Sequence, residues 1–292
     1  MRGEKGGQTL KRLEKKRGRM INSAMKISFN RFAKTLPLLR AGTLEVRLAQ
    51  SEDDIEAAQR LRYEVFYEEC GAQPDEAMAL TKRDISPIDD FCDVLLVIDH
   101  TYNKVVGTYR FMLREAASAY GGHYTALEFD ISKLLTYPGQ LMELSRSCVH
   151  KNYRTKPTMQ LLWKGIAAYT KLNQVVLFFG CGSFLGTDVS KYRQALSYLY
   201  HFHLVPPEIR TKALSVHYQE MNLMPKDEVN VREAKRQLPP LIKAYLRVGG
   251  FVGEGAFIDY NFNSIDVCII VKRETVGERY VQKYTLNPDE DL

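Results

Sequence analysis

Charged side chains inside strands that otherwise look buried are the first sign of chemistry in this chain. Arg110 falls within Lys104–Leu113, and Glu143 and Arg146 fall within Gln140–Val149. A charge in a strand interior must be paired or must reach a solvated cleft. Two further clusters accompany them: Arg62-Tyr-Glu-Val-Phe66, with Arg62 and Phe66 four apart on one helix face, and Asp89-Asp90-Phe-Cys-Asp93 leading into a strand. A single Arg–Asp pair serves structure at least as readily as catalysis, and that reading stays open for each. Taken together they describe a polar cleft of arginines, aspartates and one glutamate. Such a cleft can hold a charged small molecule and accept a proton from it.

Other chemistries lack their residues. The sequence has no G-x-S-x-G elbow, no G-x-x-x-x-G-K loop and no H-E-x-x-H pair. None of the six His begins an H-x-x-x-x-D pattern. The five Cys (70, 92, 148, 181 and 268) are odd in number, scattered and without a C-x-x-C pair. Neither a metal cluster nor a disulfide framework is expected, and each thiol is read as a small buried residue.

The elements that must position these residues alternate between the two periods of secondary structure. Leu44–Ala49 reads as a strand, and Ser51 as the cap of a helix with Asp53 and Asp54 in its first turn and a stripe of Ile55, Ala58, Leu61, Val65 and Phe66. The polar stretch Gly71–Ser86 reads as a loop. Strands follow at Asp93–Asp99 and Lys104–Leu113, around a turn at Tyr102-Asn103, and again at Gln140–Val149. Thr158–Leu172 reads as a helix, Val175–Phe179 as a strand and Gly180–Asp188 as a loop, with Thr187 or Asp188 capping a helix over Val189–His201. Pro239-Pro240 sets the start of a short helix over Leu241–Val248, and Asp266–Lys272 is a closing strand.

Composition bounds the setting. A 292-residue chain with 45% hydrophobic and 26% charged residues reads as soluble and globular. It has neither the apolar run of a spanning helix nor a secretory leader, so a cytoplasmic location is expected. Charge is concentrated at the start: residues 1–40 hold 12 Lys/Arg against Glu4 and Glu14, a net +10, leaving −4 on the remainder. Ile21, Met25, Phe29, Phe32 and Leu36 recur at helical spacing, and Pro37 ends the segment. A basic amphipathic helix of this kind suits the inner face of an anionic membrane, which would make the protein peripheral. Docking on the body of the protein is the alternative; a basic tail can also touch nucleic acid, but no nucleic-acid partner is expected. The division is a basic arm over 1–43, a catalytic domain over 44–284 and a tail over 285–292.

Four motifs resemble two related groups. Leu61-Arg-Tyr-Glu-Val-Phe66, Asp90-Phe-Cys-Asp93, Val106-Gly-Thr-Tyr-Arg110 and Glu143-Leu-Ser-Arg-Ser-Cys-Val149 are similar to motifs of the acyl-homoserine lactone synthases and of the ornithine N-acyltransferases of ornithine-lipid synthesis. The second half resembles the latter, through Leu161-Leu-Trp-Lys-Gly-Ile-Ala167, Phe179-Gly-Cys-Gly-Ser-Phe-Leu-Gly-Thr-Asp188, Leu196-Ser-Tyr-Leu199, Leu238-Pro-Pro-Leu-Ile-Lys-Ala-Tyr-Leu-Arg247 and Asp266-Val-Cys-Ile-Ile-Val271. The Trp that lactone synthases carry after the Arg–Phe helix is missing here. The resemblance implies a GNAT-like α/β (α+β) fold, with a mixed, mostly antiparallel central sheet flanked by helices and a V-shaped cleft between central strands.

It also implies an activity: transfer of a (3-hydroxy)acyl group from acyl carrier protein to the α-amine of ornithine. No cofactor is expected to be tightly bound and no metal; the carrier's acyl-phosphopantetheine is a co-substrate. Where acetyl-coenzyme A enzymes have a glycine-rich loop, this chain reads Tyr153-Arg-Thr-Lys-Pro-Thr158. Without glycine that loop suits one phosphate better than a pyrophosphate. Glu143 is the expected base, with Arg146 bracing it or meeting the pantetheine. Ser147, Cys148 and Val149 would offer backbone N–H groups to the oxyanion, and Arg154 and Lys156 would meet the phosphate. Asp90 and Asp93 would hold the cationic amino acid and fasten Arg62 and Arg110. Phe66 and Phe129 would line the cleft or serve as plain core. Three other readings remain: a lactone synthase using S-adenosylmethionine, a non-catalytic membrane-binding protein and an acetyl-coenzyme A acetyltransferase. Which amino acid is acylated rests on the resemblance.

Overall fold

The computed structural model describes residues 32–278 and 280. In chain order the elements are β1 (Leu39–Ala41), β2 (Leu44–Leu48), α1 (Glu52–Tyr63), α2 (Glu76–Thr81), β3 (Asp93–Asp99), β4 (Lys104–Leu113), α3 (Arg114–Tyr120), β5 (Phe129–Asp130), α4 (Ser132–Leu135), β6 (Gln140–Val149) and α5 (Lys156–Leu172). They continue with β7 (Val175–Leu185), α6 (Arg193–His203), β8 (Lys212–Ala213), β9 (Tyr218–Gln219), α7 (Val231–Gln237), α8 (Pro240–Arg247), β10 (Phe251–Val252), β11 (Ala256–Asp259) and β12 (Ser264–Lys272). The described residues form two compact units, one built on 32–122 and 144–175 and the other on His123–Glu143 and Val176–Gly277.

In the first unit the strands run β1-β2-β3-β4-β6, with β1 to β4 antiparallel. Every residue of β3 is buried, which is why its sequence is a nearly continuous apolar run rather than an alternation. Helix α5 packs on β1, β2 and β3. It can lie close because Gly165 faces them: a Cβ there would stand 2.8 and 2.9 Å from the Leu95 methyls. Helix α1 starts where Ser51 accepts a hydrogen bond from Asp54 N–H at 3.2 Å, with three acidic residues in its first turn.

The second unit runs β7-β12-β11-β9, all antiparallel, with β10 on β12 and a separate β5-β8 pair. Its core gathers Phe129, Leu141, Leu177, Phe179, Phe257 and Ile270. The strands are mostly antiparallel and helices flank them, as expected.

Three local expectations change. The stretch Gly71–Ser86 contains α2, capped by Asp75 accepting from Met78 N–H at 2.9 Å; six residues are too few to show a period. Gly180–Leu185 is strand, not loop. It continues β7 in register with β12, from Gly180 opposite Ile269 to Leu185 opposite Ser264. Its Gly182 is required by close packing, since a Cβ would meet Ile269 at 2.9 Å and Ile242 of α8 at 3.1 Å. The capping turn lies just beyond, where Asp188 accepts from Ser190 N–H at 3.1 Å. Finally, Phe32 to Leu36 are not helical. Phe32 packs on the α1 cluster and Lys34 reaches Asp93 at 2.7 Å. The rest of the proposed amphipathic helix and the tail 285–292 lie outside the described residues. Among the described residues, no helix is long and apolar enough to cross a membrane.

Candidate active site

The first unit holds a buried ion network. Asp89 accepts both Nη atoms of Arg62 (2.7 and 3.2 Å), Nη1 of Arg110 (2.9 Å) and the Gln59 amide (2.9 Å). Asp84 meets Arg62 Nε at 2.8 Å and Arg146 Nε at 3.1 Å, and accepts the Tyr67 hydroxyl at 3.0 Å. Arg110 also donates to Ser145 Oγ at 2.9 Å. Arg62, Arg110 and Asp84 are at most 1% exposed. Burial alone would raise the Asp89 carboxyl, but Arg62 and Arg110 outweigh it and hold it well below the usual range. Burial acts on Asp84 the same way, and Arg146 and Arg62 reverse it. The backbone is also unusual here: Arg146 has φ +53° in the middle of β6, a left-handed residue where a strand needs extended geometry.

Glu143 lies in the second unit and is fully buried. Its Oε1 accepts from Thr125 N–H and Thr125 Oγ1, both at 2.5 Å, and its Oε2 from Tyr124 N–H at 3.0 Å. His123 Nδ1 stands 3.5 Å from Oε2. Burial pushes the Glu143 carboxyl up; His123 and Thr125 more than compensate and leave it below its ordinary value. It is therefore an ionised carboxylate at neutral pH.

A second group of carboxylates in the same unit comes from distant parts of the chain. Glu128, Asp259 and Asp266 are all buried, with oxygens within 4.8 Å of one another. Asp266 accepts from Ser264 Oγ at 3.0 Å, and Asp259 caps the hairpin turn through Asn261 and Phe262 N–H. Three of the thiols are poor nucleophiles: burial pushes Cys268 up to about 12, and Cys148 and Cys181 are also raised far above the ordinary value by burial first.

Comparison with known proteins decides the family. An acetyltransferase (GNAT) domain model matches residues 61–164. The chain is 42% identical over 252 residues to an L-ornithine N(alpha)-acyltransferase of Brucella abortus, covering 84% of this chain and 90% of the relative. It is 44% identical over 253 residues to one of Agrobacterium fabrum, covering 84% and 86%. The chain belongs to the L-ornithine N(alpha)-acyltransferase family. Among solved structures it is similar to FeeM, an N-acyl amino acid synthase from uncultured soil microbes, at TM-score 0.45 and 10% identity over 80% of this chain and 94% of that one.

Within this family member, the expected site residues divide. Arg62 and Arg110 do come together, but on Asp84 and Asp89 rather than on Asp90 and Asp93, and Arg146, expected to brace Glu143 or meet the pantetheine, joins them through Asp84. The tight turn Pro87–Phe91 explains the change: it turns Asp89 inward and leaves Asp90 exposed. Asp93 is buried against the Tyr169 hydroxyl and Lys34. Helix α1, which carries Arg62, passes into a π-helical turn at Glu64–Glu69, which carries Phe66 and is closed by Cys70 N–H to Val65 O at 3.0 Å. Phe66 packs on the α1 cluster and Phe129 in the core of the second unit. Arg154 donates to Val149 O and is clamped by both oxygens of Glu69, while Lys156 is exposed in the first turn of α5. Ser147 is half-buried, and Cys148 and Val149 are buried. The Glu128–Asp259–Asp266 group was missed, although Asp259 and Asp266 are charges in apolar strands, the same signal that singled out Arg110 and Glu143.

Proposed function

We propose that this family member acylates the α-amine of ornithine with a (3-hydroxy)acyl group delivered as a thioester on acyl carrier protein. The identity of 42–44% over 84% of the chain to named ornithine N-acyltransferases carries this reading. The donor rests on the loop Tyr153–Thr158, whose lack of glycine suits a single phosphate. Lys156 at the start of the 17-residue α5 is the residue proposed to meet it. The phosphopantetheine is a co-substrate, with no tightly bound cofactor. The basic arm is proposed to hold the protein on an anionic membrane surface, on the strength of its +10 charge.

In the proposed step the α-nitrogen attacks the thioester carbonyl, a C–N bond forms, the C–S bond breaks and the pantetheine thiolate leaves. The amine proton passes through a water to Glu143 and on to the thiolate. With a free α-amine near ~8 and Glu143 held below its ordinary value by His123 and Thr125, that transfer is uphill. Amides from Ser147 to Val149 are proposed to receive the oxyanion, since the left-handed Arg146 breaks the regular ladder just before them. Ornithine carries a second ammonium, and Glu128, Asp259 and Asp266 are proposed to take it on grounds of charge.

Supplying the purified protein with 3-hydroxyacyl carrier protein and ornithine alone tests the reading. The expected product is the amide and free carrier thiol, with no need for S-adenosylmethionine. No product under those conditions, with turnover restored by S-adenosylmethionine, would sink it. The pH profile should follow the substrate: kcat/KM for ornithine rises about tenfold per unit up to about pH 8, where the α-amine loses its proton. Glu143 adds no inflection above 4.5, because its lowered value keeps it ionised throughout that window. A limb placed at 5–6 and removed by Glu143→Gln would contradict the sign of that shift.

A further inference from the structure

The second unit carries an open groove of about 960 Å³ between α7 and α8, walled on one side by the end of α6. Arg232, Lys235, Arg236, Lys243 and Arg247 line it, and Glu233 is its one acidic lining residue. The segment 231–247 thus carries +4, while everything else beyond residue 40 sums to −8. Within the second unit the groove gathers the positive charge, the rest of that unit summing to −4. Its cations are also available. Arg236 pairs with Glu233, but among the described residues Arg232, Lys235, Lys243 and Arg247 make no ion pair with a carboxylate. Four like charges gathered around one carboxylate, itself paired with Arg236, repel one another at a cost that a bound anion would relieve.

The floor is apolar, formed by Leu238 and Leu246. Burial first, and then Lys235, hold the His203 imidazole in the wall below its ordinary value, so the groove's charge at neutral pH belongs to the lysines and arginines. A concave, cationic trough with an apolar floor is shaped for a protruding acidic helix. A flat bilayer would instead meet a convex surface.

We infer that this groove is where the acidic protein bearing the acyl thioester docks. The inference rests on the carrier-borne donor proposed above and adds the surface that receives it. An acidic partner would be steered toward this concentration of positive charge.

Charge reversal with two donors tests it. Lys235→Glu/Arg247→Glu, and separately Arg232→Glu/Lys243→Glu, are assayed with acyl carrier protein thioester and with acyl-pantetheine, which lacks the protein and the phosphate. KM for the carrier-borne donor is expected to rise tenfold or more in each double variant, with kcat little changed and acyl-pantetheine kinetics unaltered. In the wild type that KM should climb with salt, and in the variants the dependence should flatten. Unaltered acyl-pantetheine kinetics also shows that the variants fold. A carrier KM that stays at the wild-type value overturns the inference. So does an unchanged KM accompanied by loss of binding to phosphatidylglycerol vesicles, which would make the groove a membrane face. A wild type that uses acyl-pantetheine but never the carrier-borne donor fails at the donor reading itself, a result distinct from the other two.

Discussion

Replacing Glu143 by glutamine is expected to lower kcat for amide formation by roughly two to four orders of magnitude, the usual contribution of a positioned proton acceptor. Glutamine keeps the volume, and its carbonyl can still accept from Thr125 N–H and Oγ1 where Oε1 does now. Its amide nitrogen must then face Tyr124 N–H, donor against donor, in place of the 3.0 Å hydrogen bond. That mismatch costs about 1–3 kcal/mol, so a lower melting temperature accompanies the kinetic loss without unfolding the protein. Glu143→Ala is a poorer test. It leaves three donors without their acceptor, and at about 1–3 kcal/mol each it threatens the fold. The measurement is therefore kcat and thermal melting together on the glutamine variant. A folded Glu143→Gln enzyme with near wild-type turnover would remove Glu143 from the reaction.

What the sequence revealed follows from which interactions are local. Strands β3, β4 and β6 and the Ser51 cap are read correctly because alternation, apolar runs and capping chemistry are written within a few residues. The charged strand positions were also legible as a class, since Arg110 and Glu143 in apolar strands demand partners. The partners themselves were not. Asp84 sits in a stretch without period, and whether Asp89, Asp90 or Asp93 faces inward depends on one turn at Pro87–Phe91. The π-helical turn at Glu64 was equally invisible, because one extra residue in a helix leaves no mark on composition. Gly180–Leu185 misled in the other direction. Glycine reads as loop, yet here Gly182 makes room for Ile242 of α8.

Asp89→Asn is expected to remove about 3–5 kcal/mol of stability, the usual cost of breaking a buried ion pair by deleting one partner. Asp89 pairs with Arg110 and also takes both Nη atoms of Arg62. Without its charge Arg62 keeps Asp84, itself already paired with Arg146, while buried Arg110 loses its ion pair with Asp89. Against a total of about 5–15 kcal/mol this is a fifth or more of the fold's stability, and the melting temperature should fall by about 10 °C. The pH dependence has a definite sign. Asp89 is depressed in the folded state, so its contribution is complete above the unfolded value of about 3.9 and is lost as pH falls through the lower folded value. The stability difference between wild type and Asp89→Asn should therefore stay constant from neutral pH down to about 4 and shrink only below it. Ornithine KM in the still-folded variant separates the two roles open to this network. An unchanged KM with a large melting loss marks Arg62, Asp89 and Arg110 as the fastening of α1, β4 and the Pro87–Phe91 turn. A normal melting temperature with a raised KM would return them to the substrate, as the sequence by itself suggests.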